Sequence, residues 1–224
     1  MPVPPLPKVR SELVAASRRL HQAGWVANHD GNLSVRLTGG RLLITPTAYS
    51  KLDVDDASLI IVDLQGKVLE GRKKPFSELE LHLAAYRSRP DVEVVIHAHP
   101  PHATAFGLVG AELAPLAMPE LVVSLGDRIP TLPRTMPKTP RAVSLVEEAA
   151  AKYDAMLLQG NGVLTLGADL TQALLRLELL EHYAKILSIA RPLGPVEPLA
   201  PEDLKALLEA RRKAGLGPKP AEEK

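Results

Sequence analysis

The sequence predicts an α/β fold in which helices flank a central mixed sheet. Segments with apolar residues at helical spacing alternate along the chain with short apolar runs typical of strands, and several of these runs form hairpins. At 224 residues the chain is long enough to bury a sizeable core, most simply as one domain. Its composition, 46% hydrophobic and 24% charged, is that of an ordinary globular protein.

Composition and charge exclude several classes of function. A net charge of +1 argues against nucleic acid or an anionic membrane as the main partner. The absence of cysteine excludes disulfides, thiolate zinc ligands and a cysteine nucleophile. No apolar run is long enough to span a membrane and no signal-peptide pattern is present, so we expect a cytoplasmic protein.

The first half of the chain predicts one helix followed by two hairpins. After a proline-rich arm at residues 1–7, apolar residues recur at helical spacing from Val9 until Gly24. Alternating apolar residues then predict paired strands, with Gly39-Gly40 as the turn of the first pair. The predicted strands are 33–37 with 41–44, and 59–62 with 67–69.

The second half predicts helices alternating with strands. Ser77 is a good N-cap for a helix that ends before Pro90, because its hydroxyl can accept from the amides that follow. The proline-rich stretch 111–140 is hard to assign, and its VVSL run is a candidate strand. Other predicted helices are 141–153, 171–190 and 201–213, and other strands start at 94, 155 and 163. We place one domain at residues 1–192, followed at 193–224 by a proline-rich tail with one short helix and a disordered GPKPAEEK end.

The run VVIHAHPPH at residues 94–102 carries the strongest chemical signal. His97 and His99 are two positions apart, so both imidazoles leave the same face of the predicted strand. Pro100-Pro101 ends that strand, since proline cannot donate to a sheet ladder. Two histidines on one face at a strand end can hold a divalent metal. A pair of hydrogen-bonded histidines explains the same pattern.

Five segments together resemble the class II aldolase/adducin head family, which includes L-fuculose-phosphate aldolase. They are GNLSVRL, ITPT, SELELHLAAYRSRPDVEVVIHAHPPHATA, LLQGNG and the long helix with Glu181. The similarity extends from about Leu13 to Ile189. Ser-Glu at a helix start, with the paired histidines some twenty residues later, is far more specific than either feature alone. The resemblance implies a three-layer α/β/α domain with a mixed, largely antiparallel sheet, assembled as a homotetramer.

The resemblance also implies roles for individual residues. His97 and His99 correspond to two ligands of the family's catalytic zinc, and Glu78 to the glutamate that moves protons. The residues corresponding to the family's phosphate cradle are Asn32, Thr47 and Ser77. The implied activity is that of a metal-dependent aldolase, which cleaves or forms a carbon–carbon bond in a ketose phosphate or related sugar through a metal-stabilised enediolate.

Such chemistry needs no lysine Schiff base. Lys51 and Lys185 are the lysines one would nominate for that role, and nothing in the sequence around them singles either out.

The metal site departs from the family pattern at one ligand. Asn161 stands in the GNG turn where the family has a third zinc histidine. An amide oxygen is usually a weaker ligand than imidazole, so the metal would be bound loosely, be a different ion, or be absent. His182, beside Glu181 on the long predicted helix, is an alternative third ligand.

The substrate-binding residues depart as well. His29, Asp30, Ala48 and Phe76 alter the phosphate cradle, which favours a substrate with a smaller or uncharged end. In the family, a tyrosine from a neighbouring subunit protonates the product. No tyrosine of this sequence corresponds to it. Glu120 is the nearest candidate to replace it, and a solvated loop glutamate is the competing interpretation.

Two other interpretations stay open. One is an enzyme of the same family that epimerises, dehydrates or decarboxylates a similar substrate. The other is an adducin-like assembly module without catalysis, which Asn161 favours and the intact set of Glu78, His97 and His99 opposes.

Overall fold

The structure, a computed structural model, describes residues 5–219. Within this range one sheet is formed by β1 (Asn32–Leu37), β2 (Arg41–Ile44), β3 (Ile60–Asp63), β4 (Val68–Glu70), β5 (Val94–Ala98), β6 (Thr131–Leu132), β7 (Ala155–Leu158) and β8 (Val163–Gly167). The strand order is β4-β3-β2-β1-β5-β8-β7-β6. Every neighbouring pair is antiparallel except β6–β7, which is parallel. The predicted mixed, largely antiparallel sheet is confirmed.

Helices cover both faces of this sheet. They are α1 (Leu6–Gln22), α2 (Leu79–Ser88), α3 (Pro101–Leu108), α4 (Pro119–Leu125), α5 (Pro140–Ala150), α6 (Leu170–Ala190) and α7 (Pro201–Lys213). One hydrophobic core lies between the sheet and α2 with α5, and the other lies between the sheet and α1, α3, α4 and α6. This is the three-layer α/β/α arrangement. Among residues 5–219, none of the helices combines the length and the apolar character needed to cross a membrane.

The central strand β5 shows how the layers position the histidines. Its apolar residues alternate between the two cores, because successive side chains of a strand point to opposite faces. Val95 packs on the side of α2, and His97, two positions later, leaves the same face. Asn32 of β1 is paired with His97 in the antiparallel register. Asn32 and His97 therefore meet at one end of the sheet, on the side of α2.

Two predicted elements differ from the structure. The VVSL run lies in helix α4 and not in a strand, since Leu121 and Leu125 are buried as one face of that helix. Strand propensity of valine is a weak preference that such packing overrides. Helix α1 begins at Leu6, inside the proline-rich arm predicted for residues 1–7, because proline is tolerated in a first helical turn. Residues 1–4, and 220–224 of the predicted disordered end, lie outside the described residues.

Helix α7 coincides with the helix predicted at 201–213 and packs against α4. Its Arg211 is only 6% exposed and donates to the carbonyls of Val123, at 2.7 Å, and Ser124, at 2.6 Å, in the last turn of α4. Arg211 also donates to the carboxylate of Asp154, at the start of β7. The helix of the tail is thus tied to the sheet, while a domain boundary at residue 192 stays a prediction.

Candidate active site

His97 and His99 face each other at the end of β5. Their Nε2 atoms are 3.1 Å apart, and the two ring planes are inclined at 78°. Two nitrogen ligands of a tetrahedral zinc ion, each about 2.0–2.1 Å from the metal, would be about 3.3 Å apart. A single N–H···N hydrogen bond would give a similar separation. The spacing of the pair thus fits a shared divalent ion as well as a direct hydrogen bond.

The surroundings of His97 favour the protonation state of a metal ligand. Its Nδ1 donates to the carbonyl of Val163 on β8, at 3.0 Å, which leaves the lone pair on Nε2. Burial, with a smaller effect of His99, lowers the pKa of His97 to about 4, so the ring is neutral at pH 7. A neutral imidazole whose outer nitrogen is held by a carbonyl is the usual form of a ligating histidine.

His99 is held from the opposite side by the loop before β1. Its backbone N–H donates to the carbonyl of Trp25 at 2.8 Å, and its Nδ1 lies 3.7 Å from Oδ2 of Asp30. Oδ1 of Asp30 accepts from the N–H of Ala27 at 2.6 Å, which fixes the carboxylate. At 3.7 Å the carboxylate is too distant for a hydrogen bond to Nδ1, but it lies on the outer side of the ring, where carboxylates that orient a ligating histidine are found. Asp30, which the sequence placed in the phosphate cradle, therefore lies beside the histidine pair.

Glu78 lies at the start of α2 with its carboxylate held by two donors. Oε2 accepts from Nδ2 of Asn32 at 3.3 Å and from Oγ of Ser77 at 2.9 Å. Ser77 is not the side-chain N-cap that the sequence predicted, because α2 begins at Leu79 and Glu78 takes the N-cap position without a capping hydrogen bond. Since Asn32 is paired with His97 in the sheet, its bond to Glu78 places the carboxylate at the histidine end of β5.

Two of the three predicted cradle residues share a surface pocket. Thr47 and Ser77 line it together with two lysines, Lys74 and Lys138. Asn32 does not line this pocket, and its amide is bonded to Glu78 instead. The ammonium groups and the hydroxyl of Thr47 favour an anion there. The hydroxyl of Ser77 donates to Glu78, and the carboxylate of Glu80 opposes an anion. The pocket is lined in full by Thr47, Lys74, Pro75, Phe76, Ser77, Leu79, Glu80 and Lys138.

Asn161 lies in the tight turn between β7 and β8. A Cβ on Gly162, which has φ 68°, would lie 2.2 Å from the carbonyl oxygen of Ala98 and 2.6 Å from Cδ2 of His99, so the turn packs directly on the end of β5. Asn161 is half-buried and also lines a small, mainly apolar cavity between α2 and α5. In residues 5–219, no three His, Cys, Asp or Glu side chains are grouped to hold a metal. Ligation by Asn161 stays a prediction.

The alternative candidates lie on the surface. His182 is on the exposed face of α6, whereas its neighbour Glu181 is buried and accepts from the N–H groups of His102 and Ala103, at 3.0 and 2.9 Å, at the start of α3. Glu120 is exposed in the first turn of α4. Neither Glu120 nor His182 forms a hydrogen bond with the histidine pair in the described part of the chain.

A buried polar network behind Glu78 was missed at the sequence level. His82 is fully buried one turn after Glu78, and its Nδ1 lies 2.7 Å from Oγ of Ser34, which lies 2.9 Å from the hydroxyl of Tyr86. Burial keeps the pKa of His82 well below its usual range, so the ring is neutral. The four-residue spacing of Glu78 and His82, which puts both on one helix face, was the available signal. Lys51, buried beside the same site, has no comparable signal.

Comparison with known proteins gives one family for most of the chain. The Class II Aldolase and Adducin N-terminal domain family matches residues 11–188. The 5-deoxy-D-ribulose 1-phosphate aldolase of Bacillus thuringiensis is 30% identical over 199 residues, covering 88% of this chain and 92% of that protein. The 3-oxo-tetronate 4-phosphate decarboxylase of Pectobacterium atrosepticum is 31% identical, covering 81% of this chain and 84% of that protein.

Solved structures agree with the sequence comparison. A structure of L-fuculose 1-phosphate aldolase superimposes with a TM-score of 0.84 at 26% identity, covering 92% of this chain and 96% of that one. The relatives include aldolases, decarboxylases and a dehydratase at similar identity, so similarity alone does not select one reaction among these.

Proposed function

This chain belongs to the class II aldolase and adducin N-terminal domain family, and we propose that it is a metal-dependent aldehyde-lyase acting on a ketose phosphate or a related sugar. The observation that carries the proposal is the histidine pair, with Nε2 atoms 3.1 Å apart, beside the doubly hydrogen-bonded carboxylate of Glu78. An assembly module has no need for this arrangement. Zinc as the metal, the homotetramer and the cytoplasmic location stay predictions.

The residues present suit the chemistry of such a lyase. His97 and His99 would hold a divalent ion through their Nε2 atoms, which have a suitable separation and, for His97, a suitable tautomer. When bound, the metal polarises the substrate carbonyl and stabilises the negative charge that develops next to it. Glu78 takes or returns a proton at its carboxylate, which Asn32 and Ser77 hold in place. Thr47 and the two lysines of its pocket bind the phosphate end, and Ser77 can donate to it only by releasing Glu78, because a hydroxyl has one proton to donate.

A reaction assay separates the lyase from its relatives. We would incubate the zinc-loaded or manganese-loaded protein with matched panels of phosphorylated and unphosphorylated ketoses and 3-oxo acids. An aldolase releases an aldehyde, a decarboxylase releases carbon dioxide, and a dehydratase releases only water. Release of an aldehyde from a ketose phosphate is the expected result. Carbon dioxide from a 3-oxo acid phosphate would assign the decarboxylase reaction instead.

Replacement of both histidines tests the metal site. In the His97→Ala/His99→Ala protein we expect metal content to fall from about one ion per chain to background, because both nitrogen ligands are gone. Metal content is measured by elemental analysis after dialysis, and circular dichroism checks that the fold is kept. The exposed His182→Ala variant, which should retain its metal, is the matched control. Unchanged metal content in the double variant would contradict the assignment.

The role of Asn161 is tested by restoring an imidazole. If the turn aims residue 161 at the metal, Asn161→His completes a three-histidine site, and zinc should bind at least tenfold more tightly because imidazole suits zinc better than an amide. Zinc dissociation constants of both proteins are compared in one chelator competition assay. Equal constants would show that residue 161 does not reach the metal.

A further inference from the structure

Lys51 is a buried lysine close to the site that no step above uses. Lys51 is only 1% exposed, and its Nζ donates to the carbonyl of Tyr49 at 2.8 Å and to the carbonyl of His29 at 3.3 Å. Lysine is rarely buried this completely unless its charge has partners. Two backbone carbonyls supply part of that partnership, and both belong to irregular loops.

The two loops that Lys51 joins both lead to predicted site residues. His29 lies in the loop that carries Asp30 and ends where Asn32 starts β1. Tyr49 lies in the loop that follows β2 and carries Thr47. Each loop contains a non-glycine residue in the left-handed region, Asn28 at φ 51° and Ala48 at φ 58°. Such conformations need support from their surroundings, and the ammonium group of Lys51 bonds to both loops.

The charge of Lys51 has two carboxylate neighbours. Burial lowers the pKa of Lys51 from 10.5 to about 8, and Asp30 and Glu78 oppose this by favouring the ammonium form. Asp30 faces His99, and Glu78 is the proposed proton-transfer group. A further cation, Lys73, lies with its Nζ 4.9 Å from the ring centroid of Tyr49. The two carboxylates thus favour the ammonium form of Lys51 from a distance, while the hydrogen bonds of the ammonium go to the two loop carbonyls.

We propose that Lys51 is a positioning residue: by donating to the carbonyls of His29 and Tyr49 its ammonium joins the loops at 28–31 and 47–49, which holds Asp30 and Thr47 at the site, and its charge offsets those of Asp30 and Glu78. The proposal rests on the proposed function for its effect on turnover. Lys51 is not a Schiff-base nucleophile, because its Nζ is engaged with two carbonyls and the residue is closed to solvent. Substrate therefore does not meet the amine.

The coupling of Lys51 to the two carboxylates can be measured without any substrate. Protein labelled with [ε-13C]lysine is titrated by NMR, and the Lys51 signal is identified by its loss in Lys51→Met. We expect this signal to titrate near pH 8, and at lower pH in Glu78→Gln and in Asp30→Asn, since each change removes a carboxylate that favours the ammonium form. The exposed Glu80→Gln is the matched control. A Lys51 signal that titrates above pH 10, or that both changes leave in place, would overturn the proposal.

A second arm measures turnover on a ketose phosphate that the panel shows to be cleaved. Wild-type activity should fall above about pH 8, as Lys51 loses its proton, and in Lys51→Arg this fall should move to higher pH because arginine stays charged. Lys51→Met should be at least tenfold slower at pH 7. If Lys51 were purely structural, its replacement would lower activity by the same factor at every pH. That result would overturn the proposal. Borohydride reduction could also attach the substrate covalently to the protein. An adduct that forms in wild type and is absent in Lys51→Met would overturn the proposal in favour of a Schiff base.

The two arms distinguish the failure of this proposal from the failure of the proposed function. Coupled titration of Lys51 without cleavage of any ketose phosphate would leave the positioning contacts standing and reject the lyase. If a ketose phosphate is cleaved but the titration of Lys51 does not respond to the two carboxylates, the lyase stands and the positioning role of Lys51 is rejected.

Discussion

Glu78→Gln is expected to lower kcat on a ketose phosphate by roughly a hundredfold to ten-thousandfold, the usual contribution of a general acid–base group. Glutamine keeps the shape of the side chain, and its carbonyl oxygen can still accept from Asn32 or Ser77. It cannot take up a proton at neutral pH. The loss should therefore appear in kcat, with KM changed much less, as steady-state kinetics would show.

The Glu148→Gln variant is the control for this prediction. Glu148 is exposed on α5 and does not line the pocket of Thr47 and Ser77, so its replacement removes a carboxylate away from the proposed site. Its kcat should stay within about twofold of wild type, in line with the small effects of surface substitutions. A Glu78→Gln enzyme as fast as the Glu148→Gln enzyme would exclude proton transfer by Glu78.

The sheet and the histidine pair could be predicted because both depend on short-range patterns. Alternation along a strand places His97 and His99 on one face whatever the rest of the fold does, and the structure has their Nε2 atoms 3.1 Å apart. The same kind of signal located both hairpins and the long helix α6. Helix α4 was misassigned because its VVSL run has strand propensity, and only packing of the buried Leu121 and Leu125 against the core decides for a helix.

Contacts between distant segments explain what the sequence could not show. Ser77 was expected to cap α2, but its hydroxyl donates to the carboxylate of Glu78, which also accepts from Asn32, 46 residues away from Glu78 in the chain. The burial of Lys51 depends on how two loops pack, which no periodicity encodes. The same holds for Asp154, which is a single aspartate in a turn sequence. Its three arginine partners lie in, or at the end of, three separate helices.

Asp154 is expected to be the most important single polar residue for stability among those described. It is fully buried and accepts from Arg89 at 3.0 Å, from Arg176 at 2.8 Å and from Arg211. Asp91 is the other carboxylate of the group, paired with Arg89 at 2.8 Å. Three buried guanidinium groups thus share two carboxylates, and Asp154 is the one that all three contact. Burial lowers the pKa of Arg176 to about 10, which shows how poorly solvated this group is.

Asp154→Asn should therefore lower the free energy of unfolding by about 3–5 kcal/mol, because it leaves buried arginine charges without a counter-charge. For a chain of this size that corresponds to a fall in Tm of roughly 10 °C, measured by calorimetry or by urea unfolding. The amide oxygen can accept from at most two of the three arginines, and the amide NH2 faces guanidinium donors, so the variant removes the charge together with at least one acceptor.

Arg211→Met supplies the matched comparison, since it leaves two arginines facing two carboxylates and so creates no unpaired charge. We expect a smaller loss for Arg211→Met, confined to the contacts between α7, α4 and β7. In the Asp154→Asn/Arg211→Met double variant one excess positive charge is gone, so it should be more stable than Asp154→Asn alone. If Asp154→Asn unfolds within about 1 kcal/mol of wild type, or if the double variant shows the sum of the two single losses, then charge balance at Asp154 does not hold α2, α6 and α7 together.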